Sequence, residues 1–152
     1  MAKTKQIPTV LTPEQQEAIN AGALILVGTI DHESGAPAIS AISWVKAVDS
    51  ERVRFSVTSN SRIYANVKAN PQVSLCFIGL GTVYTVSGNV HVLAERMEGV
   101  AMPLTRLELS VGAVFESMFW GAAITQEPAY EKTYDKEKAE ALEVQVYEAL
   151  IR

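Results

Sequence analysis

Five consecutive residues, Thr58-Ser59-Asn60-Ser61-Arg62, combine hydroxyl, amide and guanidinium groups where an extended run gives way to a helical one. The first turn of a helix leaves backbone N–H groups without intrahelical acceptors and carries a partial positive charge, which favours an anion there. An arginine beside it adds a planar fork of donors matched to phosphate oxygens. The chemistry implied is capture of a phosphorylated small molecule. A simpler grammar also fits these residues, in which Ser59, Asn60 or Ser61 caps the helix and Arg62 is solvated.

Other chemistries find less support. His32 and His91 lie 59 positions apart, with no second ligand at helical or strand spacing, so they read as turn or surface histidines. No metal site is expected. The single cysteine, Cys76, falls within an apolar strand and reads as a small buried hydrophobe, without a partner for an internal disulfide. The chain lacks a Walker loop, a G-x-S-x-G elbow and a G-x-G-x-x-G fingerprint, and Gly79-Leu80-Gly81 is a hairpin turn. No pair of side chains stands out as general acid and base.

The elements that must position the Thr58–Arg62 turn follow from periodicity. Thr12, Pro13 and Gln15 have capping-box spacing and open a short helix that Gly22 stops. Leu24 to Ile30 is a branched, apolar strand. Asp31 to Gly35 forms a turn, and Ala38–Val48 and Arg52–Thr58 form a hairpin about Asp49-Ser50-Glu51. In its return strand Val53, Phe55 and Val57 face one way and Arg54, Ser56 and Thr58 the other. Ser61 to Ala69 is a helix ended by Asn70-Pro71.

Gln72–Ile78 and Thr82–Leu93 are further strands, the latter with Val90 and Val92 inward and a bulge or bend at Gly88. Leu104 to Val111 is the sixth. Residues 112–128 are apolar without clean period, and Asp135 caps a C-terminal helix, about 135–151, with Leu142, Val146, Ala149 and Leu150 as its stripe. The result is a mainly β chain with flanking helices, a six-stranded antiparallel barrel in one domain spanning 1–152.

Composition narrows the partners. The 152 residues hold 13 basic and 17 acidic side chains, a net charge of −4. Residues 126–152 carry 7 acids and 4 bases, leaving 1–125 at −1, and neither part offers the basic face a nucleic-acid binder needs. The longest apolar-leaning run, Ala21 to Ile30, is broken by glycines and falls short of the ~20 residues that span a bilayer. Lys3 and Lys5 precede a polar, helix-like stretch instead of an apolar signal core. A cytoplasmic protein is expected.

The run from Ala38 to Phe77 resembles the pyridoxamine 5′-phosphate oxidase-like, FMN-binding split-barrel superfamily. The residues that carry the likeness are Ile42-Ser43-Trp44-Val45-Lys46, Phe55-Ser56-Val57-Thr58, Ser61-Arg62 and Asn70-Pro71-Gln72-Val73-Ser74-Leu75. The resemblance implies a homodimer of six-stranded split barrels with FMN in clefts between the subunits. It also implies that Ser61 and Arg62 hold the FMN phosphate, and that Thr58 and the backbone around Val57 lie beside the ribityl chain or ring. The strand Ile42 to Lys46, with Lys46 where the family often has a lysine, would run along the isoalloxazine, and Ser43 and Trp44 would neighbour it, strand alternation letting only one of these two side chains face the flavin. Trp120 would add an aromatic wall from the partner chain, or else serve as a core or interface aromatic.

Departures matter too. Ala41 stands where the true oxidases begin this motif with arginine, Ile63 stands where a lysine usually follows the serine-basic pair, and the C-terminal helix is acidic. The expectation is therefore an FMN-dependent oxidoreductase distinct from a vitamin B6 oxidase, the redox chemistry being the cofactor's. A non-catalytic split-barrel protein that binds or senses a flavin or haem is the alternative. A deazaflavin in place of FMN is a variant of the first reading, and a structural dimer without cofactor is a third.

Overall fold

The computed structural model describes residues 6–152, so Lys3 and Lys5 lie outside the described residues. In chain order the elements are α1 (Pro13–Asn20), β1 (Ile25–Ile30), β2 (Pro37–Ile42), β3 (Val45–Ala47), β4 (Arg52–Phe55), α2 (Arg62–Ala69), β5 (Gln72–Gly79), β6 (Thr82–Ala94), β7 (Arg106–Glu116) and α3 (Lys136–Leu150). The strands form one antiparallel sheet in the order β2-β1-β5-β6-β7-β4-β3.

The two edge strands of that sheet, β2 and β3, are consecutive in the chain and separated only by Ser43 and Trp44. A sheet whose first and last strands are joined by two residues must curl until its edges meet, which gives a split barrel. Ile42 pairs with Ile25 at one edge, while Val45 pairs with Phe55 at the other. One continuous strand from Ala38 to Val48 cannot serve partners at opposite ends of a sheet. The expected strand is therefore broken at Ser43-Trp44, and the barrel has 7 strands where six were expected.

The core is the inward face of this curled sheet. Val53 and Phe55 are fully buried, as are Val86, Leu107 and Leu109, and Ile25, Val27, Leu75 and Phe77 join them. Cys76 sits on the opposite face of β5, half-buried, because successive strand residues point to opposite sides. A second apolar cluster lies under α3, where Met97, Val100 and Leu104 pack on Val146, Ala149 and Leu150. Among the described residues no helix is long and apolar enough to cross a membrane.

Capping fixes the helices that flank the seam. The Thr12 hydroxyl accepts from the Gln15 N–H at 3.1 Å and the Gln15 side chain accepts from the Thr12 N–H at 2.9 Å, the reciprocal box expected. At the other end of α1, the Asn20 amide accepts from the Ala47 N–H at 2.9 Å and donates to the Ala47 carbonyl at 3.2 Å. This side chain stands in for a neighbouring strand and satisfies part of the β3 edge.

Strand β7 extends to Glu116, past the expected end at Val111, so Phe115 belongs to the sheet. Val92 is exposed where an inward position was expected; it still pairs with Leu107, just before the β6–β7 register shifts between Val92 and Ala94. The other shift falls at Ser87/Gly88, as expected of a bulge. A Cβ on Gly88 would collide with the carbonyl of Ser110, whereas one on Gly112 would sit in ordinary contact, 3.4 Å from the Ser87 oxygen. Gly88→Ala is expected to cost about 1–3 kcal/mol, since backbone must move to admit it. Gly112→Ala should stay within about 1 kcal/mol of wild type in denaturant unfolding.

Candidate functional site

Where the two edges meet, the seam opens into a cleft of about 420 Å³. Ser43 and Trp44 line it from the β2–β3 link, Val57 and Thr58 from the chain beyond β4, and Ser61 from the start of α2. Apolar walls come from Leu24, Ala41, Ile42 and Ile63. A volume of this size lies within the range of small-molecule and cofactor sites.

Each of these residues is held by a local cause. The Ser56 N–H donates to the Trp44 carbonyl at 3.0 Å, which carries β4 past the break. Thr58 bridges to Leu104, and the Ser61 N–H donates to the Thr58 carbonyl at 3.0 Å, so the chain turns directly into α2. Ser61 is the N-cap: its hydroxyl accepts from the Tyr64 N–H at 3.1 Å and keeps its own O–H to donate. Helix α3 fastens the link, because the Tyr147 hydroxyl donates to the Ser43 carbonyl at 3.0 Å and Trp44 packs on the cluster under α3. Burial pushes the Tyr147 phenol up to about 12.

Among the described residues, two side chains that line this cleft have a buried polar atom without a hydrogen-bond partner, Trp44 Nε1 and Ser56 Oγ. An unpaired buried polar atom costs roughly 1–3 kcal/mol. The expected cofactor residues Ser43, Trp44, Val57, Thr58 and Ser61 are thus brought together here.

The remaining three lie elsewhere. The Arg62 side chain turns to the β1–β2 turn, with nitrogens at 2.5 and 3.0 Å from the two Asp31 oxygens and 3.5 Å from Glu33. Lys46 lies over the Tyr147 ring, 4.6 Å from its centroid, and donates to the Asn20 carbonyl at 3.3 Å, in a neighbouring hollow. Trp120 is 97% exposed in a segment without helix or strand.

Sequence reasoning missed Ser56, Tyr130 and Lys132 as lining residues. Ser56 carried a usable signal, a polar residue beside the inward-facing Phe55 and Val57. Tyr130 and Lys132 carried none, because their segment has no period to read. Tyr130 is tied down by its hydroxyl, which donates to the Gly22 carbonyl at 3.1 Å, and Lys132 pairs with Glu143 at 3.1 Å. Neither His32 nor His91 lines the cleft.

A curled antiparallel sheet whose two edge strands meet at a seam defines a split-barrel fold. The model of the family described as pyridoxamine 5′-phosphate oxidase matches residues 11–145, and the chain belongs to that family. Among solved structures, one titled a putative pyridoxamine 5′-phosphate oxidase from Lactobacillus delbrueckii is 19% identical, with a TM-score of 0.60 over 71% of this chain and 95% of that one. An F420 reductase is 21% identical, with a TM-score of 0.57 over 68% of this chain and 98% of that one. HutZ, titled the heme storage protein from Vibrio cholerae, is 16% identical, with a TM-score of 0.53 over 70% and 94%. These likenesses are of fold. No curated protein matches the chain.

Two outcomes follow from this geometry. Removing the hydroxyl in Tyr147→Phe should cost about 1 kcal/mol in denaturant unfolding, the usual worth of one such bond. The Arg62 guanidinium, and then the Ser34 amide, hold the Asp31 carboxyl well below its ordinary 3.8. A lowered folded-state value stabilises above the unfolded one and is lost as pH falls through it. Asp31→Asn should therefore lower the melting temperature at about pH 6, with the gap to wild type closing progressively below about pH 4 in calorimetry.

Proposed function

We propose that this protein is an FMN-binding oxidoreductase whose cofactor occupies the seam cleft. The observation that carries the reading is the cleft itself: apolar walls from Ile42, Val57 and Ile63, with the partnerless buried atoms Trp44 Nε1 and Ser56 Oγ beside them. A flat ring system with polar edge atoms suits such a lining, because it fills the apolar walls and supplies the missing hydrogen-bond partners. Family membership and the F420 reductase fold neighbour support a flavin-type ring.

The chain's own contribution is positional. Ile42, Val57 and Ile63 would exclude water from the ring, Trp44 and Ser56 would fix its orientation, and Thr58 with the Ser61 O–H would meet the polar chain at the α2 end. A bound flavin would supply the redox chemistry, accepting and returning a hydride. No side chain has to act as acid or base. Ala41 and Ile63 put apolar groups at cleft positions where the resemblance expects cations, which argues against a vitamin B6 oxidase.

A homodimer belongs to the same proposal, motivated by Phe119 and Trp120, which are 71% and 97% exposed next to each other. A monomer in light scattering at micromolar concentration would remove it.

Titration with FMN should quench flavin fluorescence with micromolar affinity. Ala41→Trp, which fills the cleft from an exposed position on β2, should weaken binding at least about tenfold and leave thermal unfolding close to wild type. Anaerobic bleaching by a reduced nicotinamide then separates an oxidoreductase from a binding protein. No binding of FMN, with tight binding of haemin instead, would sink the proposal and favour the storage role named for HutZ.

A further inference from the structure

The arginine beside the cleft already has an anion. Arg62 stands between two lining residues, Ser61 and Ile63, yet its guanidinium forks onto Asp31 at 2.5 and 3.0 Å, and its remaining nitrogen faces Glu33 at 3.5 Å. Asp31 is not a loose surface acid. Its side chain is only 11% exposed and also accepts from the Ser34 N–H at 2.9 Å, the Ser34 hydroxyl at 3.0 Å and the Glu33 N–H at 3.2 Å.

The turn that carries Asp31 is fastened to α2 itself. Buried Asn66 accepts from the His32 N–H at 2.8 Å and donates to the Thr29 hydroxyl at 3.0 Å. The backbone segments that carry the two partners are therefore held against each other by the fold, which sets Asp31 within reach of the Arg62 side chain.

The local charge balance is unfavourable to a phosphate. Around Arg62 stand two carboxylates, and His32 lies 3.4 Å from the second of them, Glu33. Lys132, the cation that lines the cleft, lies 3.1 Å from Glu143. Among the described residues, Arg62 and Lys132 thus each have a carboxylate of their own. A phosphate arriving at the α2 end must either displace Asp31 from Arg62, leaving that carboxylate uncompensated beside it, or share the guanidinium with a carboxylate that already occupies it, and like charges at such separations repel appreciably.

We propose that Asp31, supported by Glu33, is a specificity-determining residue of the seam cleft: it competes with the ligand's phosphate for Arg62, so the cleft binds a flavin ring with little preference for the phosphorylated form. The inference rests on the flavin reading above. It turns the α2 end from a phosphate grip into a site that tolerates a phosphate without rewarding it, and makes an acidic residue on the β1–β2 turn the reason.

The test is calorimetric titration of FMN and of riboflavin into wild type, Asp31→Asn, Glu33→Gln and the double variant Asp31→Asn/Arg62→Ala. Wild type should bind the two ligands within about threefold of each other, the range that exposed ion pairs contribute. Asp31→Asn should raise the preference for FMN by about three- to tenfold while riboflavin affinity stays put, because one like charge is gone and the guanidinium is free. Glu33→Gln, at a 68% exposed side chain, should shift the ratio the same way by less and serves if Asp31→Asn folds poorly. The double variant should lose the gain.

An Asp31→Asn protein whose FMN-to-riboflavin ratio is unchanged or lower overturns the inference, as does a wild-type preference for FMN above about fivefold, the most that exposed ion pairs contribute. If neither flavin binds to wild type or to any variant, the flavin reading fails, and the inference with it.

Discussion

A two-residue link between the first and last strands of one sheet governs this molecule. Ser43 and Trp44 carry the chain from the β2 edge to the β3 edge, so the sheet closes through covalent bonds where a complete barrel would close through a hydrogen-bond ladder. Every other feature near the cleft answers the problem this creates. A strand edge left open is a row of unsatisfied donors and acceptors. Here Asn20 covers part of β3, Tyr147 takes the Ser43 carbonyl, and Pro37 begins β2 with no N–H to offer.

The same constraint makes the cleft. Side chains that a closed ladder would force into strict alternation are free to gather at the seam, and backbone on both sides withdraws to leave about 420 Å³ between them. Helix α3 lies far from α2 in sequence but sets the position of Trp44 through the cluster of Val146, Ala149 and Leu150. Core packing and site geometry therefore share one element. Loosening α3 would move a cleft wall.

Much of this was legible from residue order. The capping box of α1, the Ser61 cap, the alternation of β4 and β5 and the bulge at Gly88 all have short-range causes that sequence spacing displays. The break at Ser43-Trp44 was harder to see because no glycine or proline marks it. Its trace is a slip in phase, half-buried Ile42 being followed three positions later by buried Val45 where a strand would repeat every second residue. The engagement of Arg62 by Asp31 had no sequence trace, since it depends on Asn66 drawing a turn thirty-odd residues away onto α2. Lys46 was placed on the right strand, but at the neighbouring hollow, because the slip changes which residues of that strand look into the seam.

Tyr130 and Lys132 reach the cleft from a stretch that contributes nothing to the sheet's ladder and is held at a few points, among them the Tyr130 hydroxyl and the Ile124 N–H, which donates to the Gly81 carbonyl at 2.8 Å. That stretch thus lines the cleft without holding the barrel's strands together. Ladder and lip are therefore built from separate parts of the chain, so the lip's side chains can change without a strand losing its partner.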